Sequence, residues 1–293
     1  MNRLMWARTK SIFIMERFFI GLGFMKCGTT FITNRLSKHP QIYMPPIREL
    51  RFWENYFSKH PLPKQKSYAL RAVKKIQSEL DGDKKIEDSL KILEYWHLYS
   101  NTTPTSLAAY NSLFKPNKRQ IAVGEISPSY VEINKNDLAS MASMLPDARV
   151  IISMRHPYKR LISQYNHVSR LRPSDVSDDS VTLNWLRTPR VNAQVEYGTL
   201  LKNAFSAFGK ERIKVMFFED MVEKPELFFD DLLKFIDVPF HPRIMPKSDK
   251  DRVNAPKREL SKVLQAAFRA RVQHVPDQVK DLVGDVPIAW QTG

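Results

Sequence analysis

The chain has 293 residues, a formal net charge of +15 and one cysteine, Cys27. A domain of this length buries roughly 75% of its unfolded surface and needs no staples, and one cysteine excludes an intrachain disulfide. The positive excess favours anionic partners or a solvated basic face, and no run of 18 apolar residues occurs, so no membrane span is expected.

Residues 1–14 carry Arg3, Arg8 and Lys10 with only a broken apolar stretch. They read as an N-terminal extension and a poor signal peptide, with Met15 an alternative start and a cytoplasmic protein expected. The apolar run Phe18–Ile20 predicts a buried strand. It feeds Gly21-Leu22-Gly23-Phe24-Met25-Lys26-Cys27-Gly28-Thr29-Thr30 and then a helix over Phe31–Leu36. A strand entering a tight turn at a helix N-terminus makes an anion site, because backbone N–H groups converge there and the helix dipole favours negative charge. Lys26 adds a mobile cation, and Thr29 and Thr30 add hydroxyl donors. A Walker A loop needs Gly, four residues, then Gly-Lys-Ser/Thr. Here lysine precedes glycine, so the loop fits a single phosphate better than a triphosphate. A strand–turn–helix without ligand is the alternative. Cys27 reads as filler, since nothing points to a base beside it.

Residues 58–118 begin with Pro61 and Pro63 and are rich in lysine. Tyr68–Ile76 has helical periodicity, and Asp81-Gly82-Asp83 breaks it. The segment predicts a mostly helical insertion within one domain spanning 15–293. Ala122–Glu125, Val150–Ser153 and Arg212–Phe218 predict further strands, the last followed by a helical run over Pro225–Ile236. Residues 171–180 predict a polar, mobile loop. Strands separated by helices argue for a single α/β domain, a central parallel sheet with helices on both faces. Ligands in such sheets sit beyond the C-terminal strand ends. Arg155 ends a strand and Ser163 follows about two turns into the next helix, so both suit a phosphate.

These residues, with Leu36–Ile42, Arg48-Glu49-Leu50-Arg51-Phe52-Trp53, Gly124–Tyr130 and Ala148–Pro157 with Arg160, Ser163 and Tyr165, together resemble the sulfotransferases that use 3′-phosphoadenosine 5′-phosphosulfate (PAPS). The likeness is nearest to the heparan-sulfate-type and bacterial branch, and runs from about Phe18 to Trp290. It implies that Lys26, Cys27, Gly28, Thr29 and Thr30 form a P-loop-like cradle for the 5′-phosphosulfate, with Lys26 reaching the bridging oxygen. It further implies that Arg155 and Ser163 hold the 3′-phosphate, with Lys250 and Arg252 as further contacts. Glu49 becomes the general base, 3′,5′-diphosphoadenosine (PAP) the product, and no metal is required. The acceptor would be a glycan or small-molecule metabolite, with 58–118 on its side of the site. Glu125 is expected in the site wall, His39 in a structural His-Pro turn, and His97 and Tyr165 outside the chemistry. The chain departs from the pattern at Ile126, where lysine is usual, and at Ser248–Asn254, which lacks the usual glycine. A nucleotide kinase or a non-catalytic polyanion-binding protein are the alternatives. No zinc-finger, RRM or KH signature supports nucleic-acid binding, and the oligomeric state is open.

Overall fold

In the computed structural model, residues 17–62, 70, 73–74, 82–245 and 259–290 are described. Lys250, Arg252, the 1–14 extension and most of the Tyr68–Ile76 run lie outside them. The first half of the chain forms β1 (Phe18–Gly23), α1 (Thr29–Leu36), β2 (Ile42–Tyr43), α2 (Phe52–Ser58), α3 (Gly82–Asn101), α4 (Leu107–Ser112) and β3 (Ala122–Ile126). A 3₁₀ turn at Pro128–Glu132 leads to α5 (Lys135–Met144), β4 (Arg149–Met154) and α6 (Pro157–Leu171). Then come α7 (Asp179–Leu186), α8 (Pro189–Val195), α9 (Tyr197–Phe208), β5 (Ile213–Phe217), α10 (Phe218–Glu223) and α11 (Pro225–Phe235). The C-terminal part holds α12 (Lys262–Val272) and α13 (Val275–Val283).

The five strands are all parallel, in the order β2-β3-β1-β4-β5. Side chains alternate across a strand, and each face of the sheet buries its own set. Phe18, Ile20 and Leu22 of β1 join Val150, Ile152 and Met154 of β4 in one core, packed by α5, α6 and α9. Phe19 and Ile151 point the other way, against Ile32 and Leu36 of α1 and Phe228, Phe229, Leu232 and Leu233 of α11. Burial on both faces explains why these strands read as apolar runs rather than alternating ones. Because all five run the same way, every strand delivers its following loop to one edge. That edge carries Lys26–Thr30, Glu49, Ser127, Arg155 and Phe218.

The expected single α/β domain with a helix-flanked parallel sheet is the fold observed. β1 runs three residues beyond the predicted Ile20, because Gly21 and Gly23 remain in the sheet beside Ile126 and Ile152. β2, at two residues, was too short to show a period. The predicted mobile loop at 171–180 is instead folded. Pro173–Val176 forms a 3₁₀ turn, Val176 is fully buried, and the Asp178 side chain caps α7 by accepting the Val181 N–H at 3.0 Å. One apolar residue and one N-cap organise a segment whose composition is polar.

Ile20 is wholly buried in the middle strand, whereas Leu227 on α11 is 64% exposed. Ile20→Ala is expected to cost about 2–5 kcal/mol, and Leu227→Ala to stay within about 0.5 kcal/mol, as read by urea denaturation. Equal losses would contradict the double-sided core.

Candidate active site

The loop after β1 is held from below by side chains of two other elements. Ser153 at the end of β4 donates its hydroxyl to the Cys27 carbonyl at 2.6 Å, and its own carbonyl accepts the Phe24 N–H at 2.8 Å. Gln194 of α8, fully buried, accepts the Met25 N–H at 2.9 Å and donates to the Pro128 carbonyl at 3.3 Å. Gly28 has φ 82°, the left-handed conformation in which glycine is at ease. A Cβ there would lie 2.5 Å from Met221 Cε and 3.1 Å from Phe218 Cδ2, so α10 closes directly over the turn. Thr29 and Thr30 open α1, the first buried and the second exposed.

Cys27 points into the core and is fully buried; burial pushes its thiol up to about 12. Its Sγ lies 3.7 Å from the Met25 carbonyl and 4.0 Å from Tyr197 Oη. This agrees with a filler role, and leaves only its backbone available to a ligand.

Lys26 has no hydrogen bond or ion pair among the described residues. Its pKa is lowered, first by burial and then by the neighbouring guanidinium groups of Arg170 and Arg155, against the opposing pull of Glu49. The two cradles therefore share one electrostatic neighbourhood. Arg155 likewise has no carboxylate partner among the described residues. Its guanidinium lies 4.3 Å from the Phe218 ring centroid, its Nε is buried without a partner, and its backbone carbonyl accepts the Tyr197 hydroxyl at 2.9 Å. Ser163 is half-buried on α6. His167 and Arg170, at i+4 and i+7 from Ser163, follow it along one helix face. Sequence reasoning missed both, although that spacing is a legible signal. Burial, then Lys26, Arg170 and Arg172, push His167 down to about 4, so a neutral imidazole stands beside Lys26. On the same helix Arg160 is fully buried. Its Nη1 donates to Gln164 Oε1 at 2.7 Å, while Nε and Nη2 have no partner.

Glu49 sits in the loop after β2, half-buried, with φ 59°; Arg51 follows at φ 54°. Burial raises the Glu49 pKa; Arg48 and Arg51 pull it down and Glu54 pushes it up. The Arg51 guanidinium forms its ion pair with Glu54. Glu49 and Lys26 thus feel one another, while Glu125 does not line this space. Only 2% of its surface is exposed, and Ser127, Tyr130 and Tyr110 surround its carboxylate. The expected wall residue is a core residue, because β3 is buried on both faces. His39 is buried, with Nε2 3.0 Å from the Pro239 carbonyl, Tyr165 is core, and His97 is exposed near Asn101. His39 and Tyr165 thus lie in the core and His97 on the surface. Among the described residues no group of three or more His, Cys, Asp or Glu side chains is arranged to hold a metal ion.

A model of the sulfotransferase family matches residues 18–242. The chain belongs to the sulfotransferase family. The solved sulfotransferase from Alicyclobacillus acidocaldarius superposes with a TM-score of 0.63 at 25% identity, over 94% of this chain and 98% of that one. The sulfotransferase domain from the Synechococcus PCC 7002 olefin synthase shares the fold at a TM-score of 0.50 and 17% identity, over 92% of this chain and 95% of that domain. The membrane-associated sulfotransferase kil1 of Dictyostelium discoideum is 28% identical over 148 residues, which are 50% of this chain and 22% of that protein. This chain therefore spans about a fifth of that relative's length. Among the described residues no helix is long and apolar enough to cross a membrane. Family membership and fold are therefore shown, and the strand ends of that fold carry Lys26 and Arg155.

The depressed His167 has a measurable sign. Between its ordinary 6.5 and its folded value of about 4, the unfolded chain binds a proton that the folded chain refuses. Stability therefore falls as pH drops through that window. Thermal melts at several pH values across it should show a smaller decline for His167→Gln than for wild type. Parallel curves would mean that His167 titrates normally.

Proposed function

We propose that this sulfotransferase takes its sulfuryl group from PAPS and passes it by in-line displacement to a hydroxyl or amine of a carbohydrate or small-molecule acceptor, releasing PAP. The observation that carries the reading is that Lys26 and Arg155 stand in one another's field and neither forms an ion pair among the described residues. Two such cations suit a molecule phosphorylated at both ends. The Phe218 ring, already stacked with Arg155, and the close Gly28–Met221 approach fit a flat base and a phosphate lying against backbone.

PAPS supplies an activated sulfate on a phosphate leaving group, and transfer resembles phosphoryl transfer in spreading charge over equatorial oxygens. The protein's work is positioning and electrostatics. In this reading the backbone N–H groups of Cys27 to Thr30 and the threonine hydroxyls hold the 5′-phosphate. Lys26 offsets the charge that develops on it. Arg155 and Ser163 hold the 3′-phosphate, with Lys250 and Arg252 as further contacts. Glu49 accepts the acceptor's proton. Its raised pKa makes it a better base than an exposed carboxylate, provided the working pH keeps it ionised. The reading calls for no metal ion, since Lys26 supplies the cation. The acceptor would approach from the side of α3 and α4, and the protein would work in the cytoplasm.

PAP at 100-fold above its Kd should stabilise the fold by about 2.7 kcal/mol without Mg²⁺, read as a rise in Tm, and ATP should do so far less. Equal shifts, or a strict magnesium requirement, would count against the nucleotide assignment. Arg155→Ala should weaken PAP binding by about 1.5–3 kcal/mol, as expected for a charged hydrogen bond; unchanged affinity would move the 3′-phosphate elsewhere. Turnover is followed as PAP release from PAPS over a mixture of glycan and small hydroxylated acceptors. There Lys26→Met should lose about 10²–10³ in rate. Glu49→Gln should keep PAP affinity and lose turnover, and near-normal turnover would remove Glu49 as the base.

A further inference from the structure

The turn that presents Glu49 is conformationally costly. Glu49 and Arg51 both lie in the left-handed region, at φ 59° and 54°, and neither is glycine. Such residues persist only where their surroundings over-determine them. Here the backbone of the turn is gripped by side chains. The Leu50 carbonyl accepts the Tyr99 hydroxyl at 2.8 Å. The Arg51 N–H donates to Ser127 Oγ at 3.0 Å, and the Phe52 N–H donates to Tyr130 Oη at 3.1 Å.

Those last two bonds need hydroxyl oxygens that present a lone pair to the turn. A hydroxyl has one proton and can point it either way. What fixes the direction is Glu125. Ser127 Oγ–H donates to Glu125 Oε2 at 2.6 Å, and Tyr130 Oη–H donates to Oε1 at 2.5 Å, where Tyr110 also donates at 3.1 Å. Backbone N–H groups can only donate, so each hydroxyl must accept from the turn, and the two Glu125 oxygens are the acceptors that take the hydroxyl protons inward. No lysine or arginine pairs with Glu125 among the described residues. Its burial is offset by the hydroxyls of Ser127, Tyr130 and Tyr110, which all donate to it. Glu125 is also well anchored, lying on β3 in register with Ile20 of the central strand.

We propose that Glu125 is the positioning residue for the turn that carries Glu49, acting through the hydroxyls of Ser127 and Tyr130 and never touching substrate. The consequence for catalysis rests on the reading above that Glu49 is the base. Glutamine at this position keeps the shape but replaces one acceptor oxygen by a donor, so one hydroxyl loses its reason to point inward.

The test compares full-length wild type with Glu125→Gln and Tyr130→Phe, the second removing the hydroxyl that accepts the Phe52 and Trp53 N–H groups and donates to Glu125. Three readouts are taken: amide hydrogen exchange at Arg51 and Phe52, PAP affinity by calorimetry, and kcat for PAP release from PAPS over the acceptor mixture. The expected result is exchange at least tenfold faster at both amides in Glu125→Gln and at Phe52 in Tyr130→Phe. PAP affinity should stay within twofold, and kcat should fall at least tenfold. If Glu125→Gln does not fold, Tyr130→Phe decides alone. Wild-type exchange and kcat in a folded variant would overturn the proposal, as would a loss of thermal stability with kcat intact. PAP affinity falling in step with kcat would overturn it too, by moving the effect to the nucleotide cradle. Exchange at Arg51 and Phe52 reads the clamp whatever the chemistry. A Glu49→Gln enzyme that turns over normally therefore removes the base assignment while leaving the clamp to be judged on exchange.

Discussion

Lys26 and Arg155 repel one another at the same edge of the sheet, and much of the surrounding structure exists to keep them there. Neither forms an ion pair among the described residues, and burial beside two guanidinium groups lowers the pKa of Lys26 despite the pull of Glu49. Parallel topology makes the meeting possible, since it sends the loops after β1 and β4 to one side. Ser153 and Gln194 then fix the first loop by its backbone, and Tyr197 ties down the Arg155 carbonyl. Sequence-distant residues thereby hold two like charges close enough that an anion is the natural third member.

On the opposite side of Lys26 the problem is inverted. Glu49 is a carboxylate that burial would rather protonate and nearby arginines would rather ionise. Its backbone is held by a hydroxyl network that ends in Glu125, raised by its own burial to about 7. Two acidic residues of similar chemistry thus have different settings. One is half-buried in the field of Lys26; the other is enclosed by Ser127, Tyr110 and Tyr130. The distinction comes from the strand on which Glu125 sits rather than from its neighbours in sequence.

That contrast marks what could be read from the residues alone. The Lys26–Thr30 turn and the Arg155–Ser163 pair were legible because each is local: a strand, a turn, and a helix register within about ten residues. The flanking apolar runs fixed the parallel sheet for the same reason. Glu49 was singled out through resemblance alone, since nothing in its immediate spacing separates it from a surface ion pair. Glu125 was misjudged as a wall residue, although a lone acid among Ala122, Val123 and Ile126 in a two-sided strand belongs inside. Gln194, Phe218 and Met221 reach the loop across more than 160 residues of chain, and no pattern of period 2 or 3.6 reports such contacts. Val176 shows the converse: one buried apolar residue was enough to order a stretch whose composition looked loose.

Arg160 adds a last consequence. It is sealed from solvent on α6, and its Nε and Nη2 have no hydrogen-bond partner among the described residues. Any small anion that settles above it is then favoured by mass action on the folded form. Sulfate from a precipitant or phosphate from a buffer would raise the melting point without being a substrate. With such an anion bound, part of the fold's resting stability would be a property of the salt in which it is dissolved.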